Sequence, residues 1–208
     1  KTIRSAKQQV YLNFEEIESL NELEFDNKTK GYVRDWFVFS CFTGMRYSDY
    51  IELTENEIDD EFITYIPSKT SKKKTTPIKA PILPQVRAIL DKYKDYKNGL
   101  PPYVSNQEMN RSLSTIGEKA KLTKVITIVE KIGEETITRK SRKCDEIGTH
   151  TGRRSFATNA RNIGIELDAI SSQLGHSTIQ QTMTYISLSI EEKGKDFAKQ
   201  WNAKTTQS

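Results

Sequence analysis

Three observations predict a mainly α-helical α+β fold with small antiparallel β-hairpins. All six prolines lie between Pro67 and Pro102 and the following 106 residues contain none, so strand, turn and loop are expected in the middle and helix in the C-terminal half. Helix starts carry side-chain caps, and helix ends carry glycine. Two pairs of segments rich in Ile, Thr and Tyr flank polar tips, as antiparallel strands do. At 208 residues one domain with its own core is the default.

Asn13 followed by Glu16 predicts an N-cap with a reciprocal acid, and Leu12 with Ile17 a hydrophobic staple, so a helix is expected from Phe14 to Leu23. Residues 31–43 are apolar on most sides beyond Trp36 and stop at Gly44, which predicts a core helix ended by a left-handed glycine. Glu61–Pro67 and Thr75–Ile82 predict one hairpin around a lysine-rich tip; Thr123–Val129 and Thr136–Arg139 predict another around Gly133 and Glu134. Four short helices are expected after that: Gly152–Ile163, Glu166–Leu174, one capped by Ser177 with Gln180, and one capped by Ser189 with Glu192. On the last of these, Ile190, Gly194, Phe197 and Trp201 share a stripe that needs a dock on this molecule or on a neighbour.

Charge is unevenly placed. Lysine and arginine number 32 against 28 acids, a formal net charge of +4. Residues 15–26 and 52–61 each hold six acids and no base; residues 66–80 hold five lysines and no acid, and residues 136–161 hold seven bases against two acids. The two basic segments are expected to form one positive surface for a polyanion. No apolar run approaches the roughly 20 residues of a membrane span, and no secretory leader is evident. Cys41 and Cys144 make no disulfide framework, which fits a reducing, intracellular setting. The chain opens at Lys1 without an initiator Met, so further sequence upstream is expected.

No glycine-rich phosphate loop, HExxH, CxxC or Gly-x-Ser-x-Gly motif is present, and the two histidines, His150 and His176, carry no metal-ligand spacing. No cofactor is expected. What remains is Arg46 after a glycine, His150 and Arg153 three apart at a helix start, His176 after another glycine, and Tyr185 nine residues on. Singly these are weak signals; together they suit phosphoryl transfer. Two arginines and a histidine would hold the non-bridging oxygens of a phosphodiester as charge develops. A phenol is only about 0.1% ionised at neutral pH, so Tyr185 would attack phosphorus only from such an electropositive pocket. Lys69, on a hairpin tip, is the candidate to protonate the leaving oxygen.

The segments TGMRYSD (Thr43–Asp49), SKT (Ser68–Thr70), HTGRRSFAT (His150–Thr158) and LGHSTIQQTMTYI (Leu174–Ile186) resemble, in order and spacing, the catalytic boxes of the tyrosine recombinase, or phage integrase, family. The resemblance implies that family's catalytic-domain fold over residues 10–208. It implies Arg46 and Arg153 as phosphate-clamping arginines, Lys69 as general acid, His150 as base or orienting histidine, His176 as a further phosphate donor, Tyr185 as nucleophile and Asp49 as buttress. Lys72, Lys73, Lys74 and Arg154 are assigned to phosphate attraction. Two positions depart from the pattern: Gly152 stands where many members carry a larger apolar residue, and Arg154 where many carry histidine.

The resemblance further implies double-stranded DNA as partner, a 3′-phosphotyrosyl intermediate resealed without ATP, and a tetramer that exchanges the C-terminal helix. Residues 1–9 would end a linker from a core-binding domain absent from this chain. The expected setting is the bacterial cytoplasm, at the nucleoid, with a mobile element as the source. The same residues also suit a type IB topoisomerase-like enzyme, or a DNA-binding module with an inert site.

Overall fold

The computed structural model describes residues 6–7, 10–68, 76–132, 135–186, 194, 197 and 198. In chain order its elements are β1 (Ala6–Lys7), α1 (Phe14–Asn21), α2 (Lys28–Thr43), α3 (Tyr47–Tyr50), β2 (Phe62–Tyr65), β3 (Ile78–Pro81), α4 (Pro84–Tyr93) and α5 (Asn106–Lys119). They continue with β4 (Val125–Ile132), β5 (Glu135–Arg142), α6 (Thr149–Asn162), α7 (Leu167–Gln173) and α8 (Ile179–Met183).

Asn13 caps α1 as expected: its side chain accepts from the Glu16 amide at 2.8 Å, and the Glu16 carboxylate accepts from the Asn13 amide at 2.9 Å. Leu12 and Ile17 are buried on either side of this box. The helix stops at Asn21, two residues short of the expected Leu23, because Arg34 of α2 takes the carbonyls of Asn21 and Leu23. Every residue of α2 from Trp36 to Thr43 is buried, and α1, α4, α5 and α6 pack around it. Gly44 then ends it at φ 68°, a conformation that glycine adopts without steric cost.

The middle of the chain departs from expectation at α4, which occupies a region assigned to strand, turn and loop, while α5 lies in the proline-free half where helix was expected. Proline was the misleading signal. Pro84 is the first residue of α4, where its missing N–H is one the helix leaves unpaired anyway, and Pro101 and Pro102 precede α5. The hairpin pairs β2 with β3 antiparallel, Tyr65 opposite Ile78. The second hairpin is longer than expected, with Val125 opposite Arg142 and Ile132 opposite Glu135. Ala6 and Lys7, within the segment read as a linker, add β1 to its edge and make three strands.

Four of the five lysines of the first basic segment lie outside the described residues; in the second, several bases are paired. Arg139 pairs with Glu146 and Glu130, Arg142 with Asp145 and Glu118, and Lys143 with Glu16, so three of the seven bases in 136–161 already have carboxylate partners.

Helix α6 starts three residues before the expected Gly152, and Gly152 lies inside it against α2. A Cβ added there would stand 2.7 Å from Ser40 Oγ, 2.9 Å from Ser40 Cβ and 3.3 Å from the Phe37 carbonyl oxygen. Close helix approach therefore explains the departure at this position. Gly152→Ala is expected to destabilise by about 1–3 kcal/mol through overpacking, read as a lower urea midpoint at unchanged slope. Ala157 and Ala160 of α6 join Ile170 and Leu174 in a second, smaller core against which Phe156, Tyr185 and Ile186 pack. Helix α8 is capped by Thr178, one residue later than expected: its hydroxyl accepts from the Gln181 amide, and Ser177 instead donates its amide to the Gln181 side chain. Ser189, Ile190, Glu192 and Trp201 lie outside the described residues; of the predicted stripe, Gly194 and Phe197 are described, and both are exposed. No helix among the described residues is long and apolar enough to cross a membrane.

Candidate active site

Three distant stretches meet at one place: the turn from α2 to α3, the end of β2, and α6 with the segment from α7 to Tyr185. The first turn is set by Gly44, where a Cβ would meet Phe156 of α6 at 2.6 Å. Arg46 follows at the N-cap of α3, and Asp49 lies one turn on. Asp49 Oδ2 is 3.6 Å from Arg46 Nη1, and both side chains are nearly or fully buried. The other Asp49 oxygen accepts from the amide and hydroxyl of Ser68, at 3.0 and 2.8 Å. One carboxylate thus faces the arginine and holds the residue that precedes Lys69. Lys69, Lys72, Lys73 and Lys74 themselves lie outside the described residues.

Arg153, on α6, is completely buried. Its Nη1 donates to the Gly44 carbonyl at 2.7 Å, and its Nη2 to the Leu174 carbonyl, so it ties the α2–α3 turn to the α7–α8 turn. Nη2 also lies 2.9 Å from His176 Nε2. A guanidinium has no acceptor, so Nε2 accepts and the imidazole proton sits on Nδ1, which donates to the Thr182 hydroxyl at 2.9 Å. Burial pushes the His176 imidazole down to about 3, with help from the cations Arg153 and Arg46. Burial, then Arg46, lowers Arg153 to about 10, which still leaves it charged at neutral pH.

Tyr185 closes the group. Its ring centroid is 5.0 Å from that of His176 and 5.4 Å from the Arg153 guanidinium carbon. Its amide donates to the Thr182 carbonyl at 2.9 Å, and Thr158 holds its carbonyl oxygen. His150, the second residue of α6, is exposed one turn before Arg153. Arg154 is half-buried, with its Nε enclosed.

The structure therefore brings Arg46, Asp49, Arg153, His176 and Tyr185 close to one another. It adds participants that sequence reasoning missed: Thr182, whose signal was a threonine on the helix that separates His176 from Tyr185, and the carbonyls of Gly44 and Leu174, which carry none. Tyr65 of β2 is a further one. Among the described residues, buried Arg46 Nη1, Asp49 Oδ2, Arg153 Nε and the Tyr65 hydroxyl have no hydrogen-bond partner.

The sequence model of the phage integrase family matches residues 10–192, nearly the whole chain and every described member of this cluster. The chain belongs to that family. Tyrosine recombinase XerC of Pediococcus pentosaceus is 28% identical over 158 residues, 76% of this chain and 50% of that protein. Tyrosine recombinase XerA of Thermococcus onnurineus is 25% identical over 166 residues, 78% of this chain and 54% of that protein. This phage integrase family chain thus spans about half the length of the curated relatives it matches. Among solved structures, the XerA recombinase matches with TM-score 0.65 and 18% identity over 93% of this chain and 64% of that one. The XerH recombinase bound to palindromic difH substrate, a post-cleavage complex, matches with TM-score 0.63 and 17% identity over 94% and 54%. The fold is that of the tyrosine recombinase catalytic domain.

Proposed function

We propose that this chain is the catalytic domain of a site-specific recombinase that cleaves and rejoins double-stranded DNA through a phosphotyrosyl intermediate. The observation that carries the reading is the packing of the Tyr185 ring on the buried Arg153 guanidinium and His176, groups drawn from separate parts of the chain. The relatives are named tyrosine recombinases, and the XerH site-specific recombinase was caught on its difH substrate in a post-cleavage complex.

In this mechanism Arg46 and Arg153 neutralise the non-bridging oxygens as negative charge builds on phosphorus. The Tyr185 oxygen forms the new bond to phosphorus and loses its proton; the bond to the 5′ oxygen breaks, and that oxygen takes a proton from Lys69. His150, exposed at the start of α6 beside the arginine it precedes, is assigned to receive or relay the tyrosine proton. Attack by a 5′-hydroxyl reverses the sequence, so the ester itself stores the energy for rejoining. Lys72, Lys73, Lys74 and Arg154 contribute attraction to the backbone phosphates.

A duplex nicked beside the scissile phosphate tests this. Wild type should accumulate a protein-bound strand that Tyr185→Phe does not form while it still binds the duplex; equal adduct from both proteins would remove Tyr185 from the chemistry. An upstream core-binding domain, a tetramer joined through the stripe of Ile190, Gly194, Phe197 and Trp201, and a mobile-element source are part of the same proposal. Phe197, on this stripe, is 67% exposed. Removal of residues 190–208 should leave single-site binding and abolish pairing of two duplexes in a gel assay; intact pairing would refute the helix exchange.

A further inference from the structure

Tyr65 ends β2, three residues before Ser68, whose amide and hydroxyl the Asp49 carboxylate holds. The residue is 6% exposed, and its hydroxyl oxygen is buried without a hydrogen-bond partner among the described residues. Buried hydroxyls are nearly always paired, and an unpaired one costs stability. The site therefore retains an unfavourable group that a phenylalanine would spare it. The electrostatic neighbours of this hydroxyl are Arg153, Asp49 and Arg46. Two of these neighbours carry buried guanidinium nitrogens without a hydrogen bond, Arg153 Nε and Arg46 Nη1, the latter 3.6 Å from Asp49 Oδ2. Three buried donors without a hydrogen bond, against the single acceptor Asp49 Oδ2, match a ligand that offers several acceptor oxygens.

We propose that the Tyr65 hydroxyl is a further contact to the reacting phosphate, a neutral donor that acts beside the guanidinium groups of Arg46 and Arg153. It holds only if the site takes a phosphodiester, as proposed above. Burial pushes the phenol up to about 12, against the pull of the two arginines, so the hydroxyl keeps its proton and donates at any working pH. It supplies a hydrogen bond without adding a third cation to a pocket where Arg46 and His176 already sit against Arg153. The Tyr185 ring lies over the Arg153 guanidinium, so displacement of that ring onto the strand to be cleaved uncovers this guanidinium for the phosphate.

Tyrosine-ring NMR of the 208-residue chain during titration with inorganic phosphate separates the outcomes, with the Tyr65 signal assigned by its absence from Tyr65→Phe. The expected result is a saturable shift of the Tyr65 and His176 signals that Arg46→Ala abolishes. Tyr65→Phe should bind phosphate about threefold to tenfold more weakly, the range of one neutral hydrogen bond. Without phosphate, its melting temperature should equal or exceed that of wild type, since the variant removes an unpaired buried hydroxyl. A His176 shift with the Tyr65 signal unmoved, or equal phosphate affinity in Tyr65→Phe, overturns the assignment and leaves the phosphate site standing. A lower melting temperature for Tyr65→Phe overturns it too, by showing that the hydroxyl serves the fold. If phosphate moves neither signal, the phosphate site fails and the Tyr65 contact fails with it.

Discussion

Arg153→Lys is expected to slow formation of the covalent adduct by about 10²- to 10³-fold and to lower stability at the same time. The charge survives the change, but the geometry does not. Arg153 uses two nitrogens to reach the Gly44 and Leu174 carbonyls and one of them to reach His176 Nε2. A lysine ammonium is a single point on a flexible stem and cannot stand at both ends of that span. At least one backbone carbonyl in a fully buried site would then lose its partner, at a cost of about 1–3 kcal/mol. Arg46→Lys provides the control. Arg46 lies 3.6 Å from Asp49, and its Nη1 has no hydrogen bond among the described residues, so its replacement should slow cleavage comparably with little loss of stability. Single-turnover adduct formation and urea unfolding of both variants measure the two effects separately. Arg153→Lys cleaving within threefold of wild type would show that the buried arginine serves packing alone.

The contrast between these two arginines explains what was legible in the sequence. The pieces of the site stand beside chain breaks, and breaks are written locally: Gly44 before Arg46, Gly175 before His176, the start of α6 around His150 and Arg153. The assembly is not local, because Arg153 finds its partners 109 and 21 residues away, and two of them are backbone carbonyls with no residue-type signature. The same limit hid α4, where Pro84 reads as a breaker until its place at the first helical position is known. It hid the pairing of the second basic segment as well. A count of bases over 136–161 cannot see that Glu16, Glu118 and Glu130 lie across the fold, ready to pair with them. Elements with their own caps were legible; Asn13 with Glu16 needs no tertiary partner to start α1. Thr182 and Tyr65 were missed because threonine and tyrosine are common, and only burial and an unmet or shared hydrogen bond distinguish these two.

Thr182 leads to the second large effect. Thr182→Val should slow adduct formation about tenfold to hundredfold, the usual cost of removing a partner that orients an active-site histidine, while Thr182→Ser should stay near wild type. In this structure His176 Nε2 accepts from Arg153 and Nδ1 donates to Thr182. Donation to a phosphate oxygen requires the opposite tautomer, with the proton on Nε2. A hydroxyl both accepts and donates, so Thr182 pairs with Nδ1 in either state, and serine does the same; valine pairs with neither. The pH dependence of stability separates orientation from charge. Folding holds the imidazole at about 3 against 6.5 in the unfolded chain, so the unfolded state binds the extra proton. The stability His176 contributes is therefore complete above about pH 6.5 and is lost as the pH falls towards 3. Most carboxylates titrate below about pH 5, so the difference between wild type and His176→Gln from pH 6.5 to 5 isolates His176, with an expected loss of about 1–2 kcal/mol after allowance for its partial exposure. Urea unfolding of His176→Gln should lack this loss across that interval. Thr182→Val should keep the wild-type slope, because burial and the two arginines that depress the imidazole remain in place while the hydroxyl that orients it is gone.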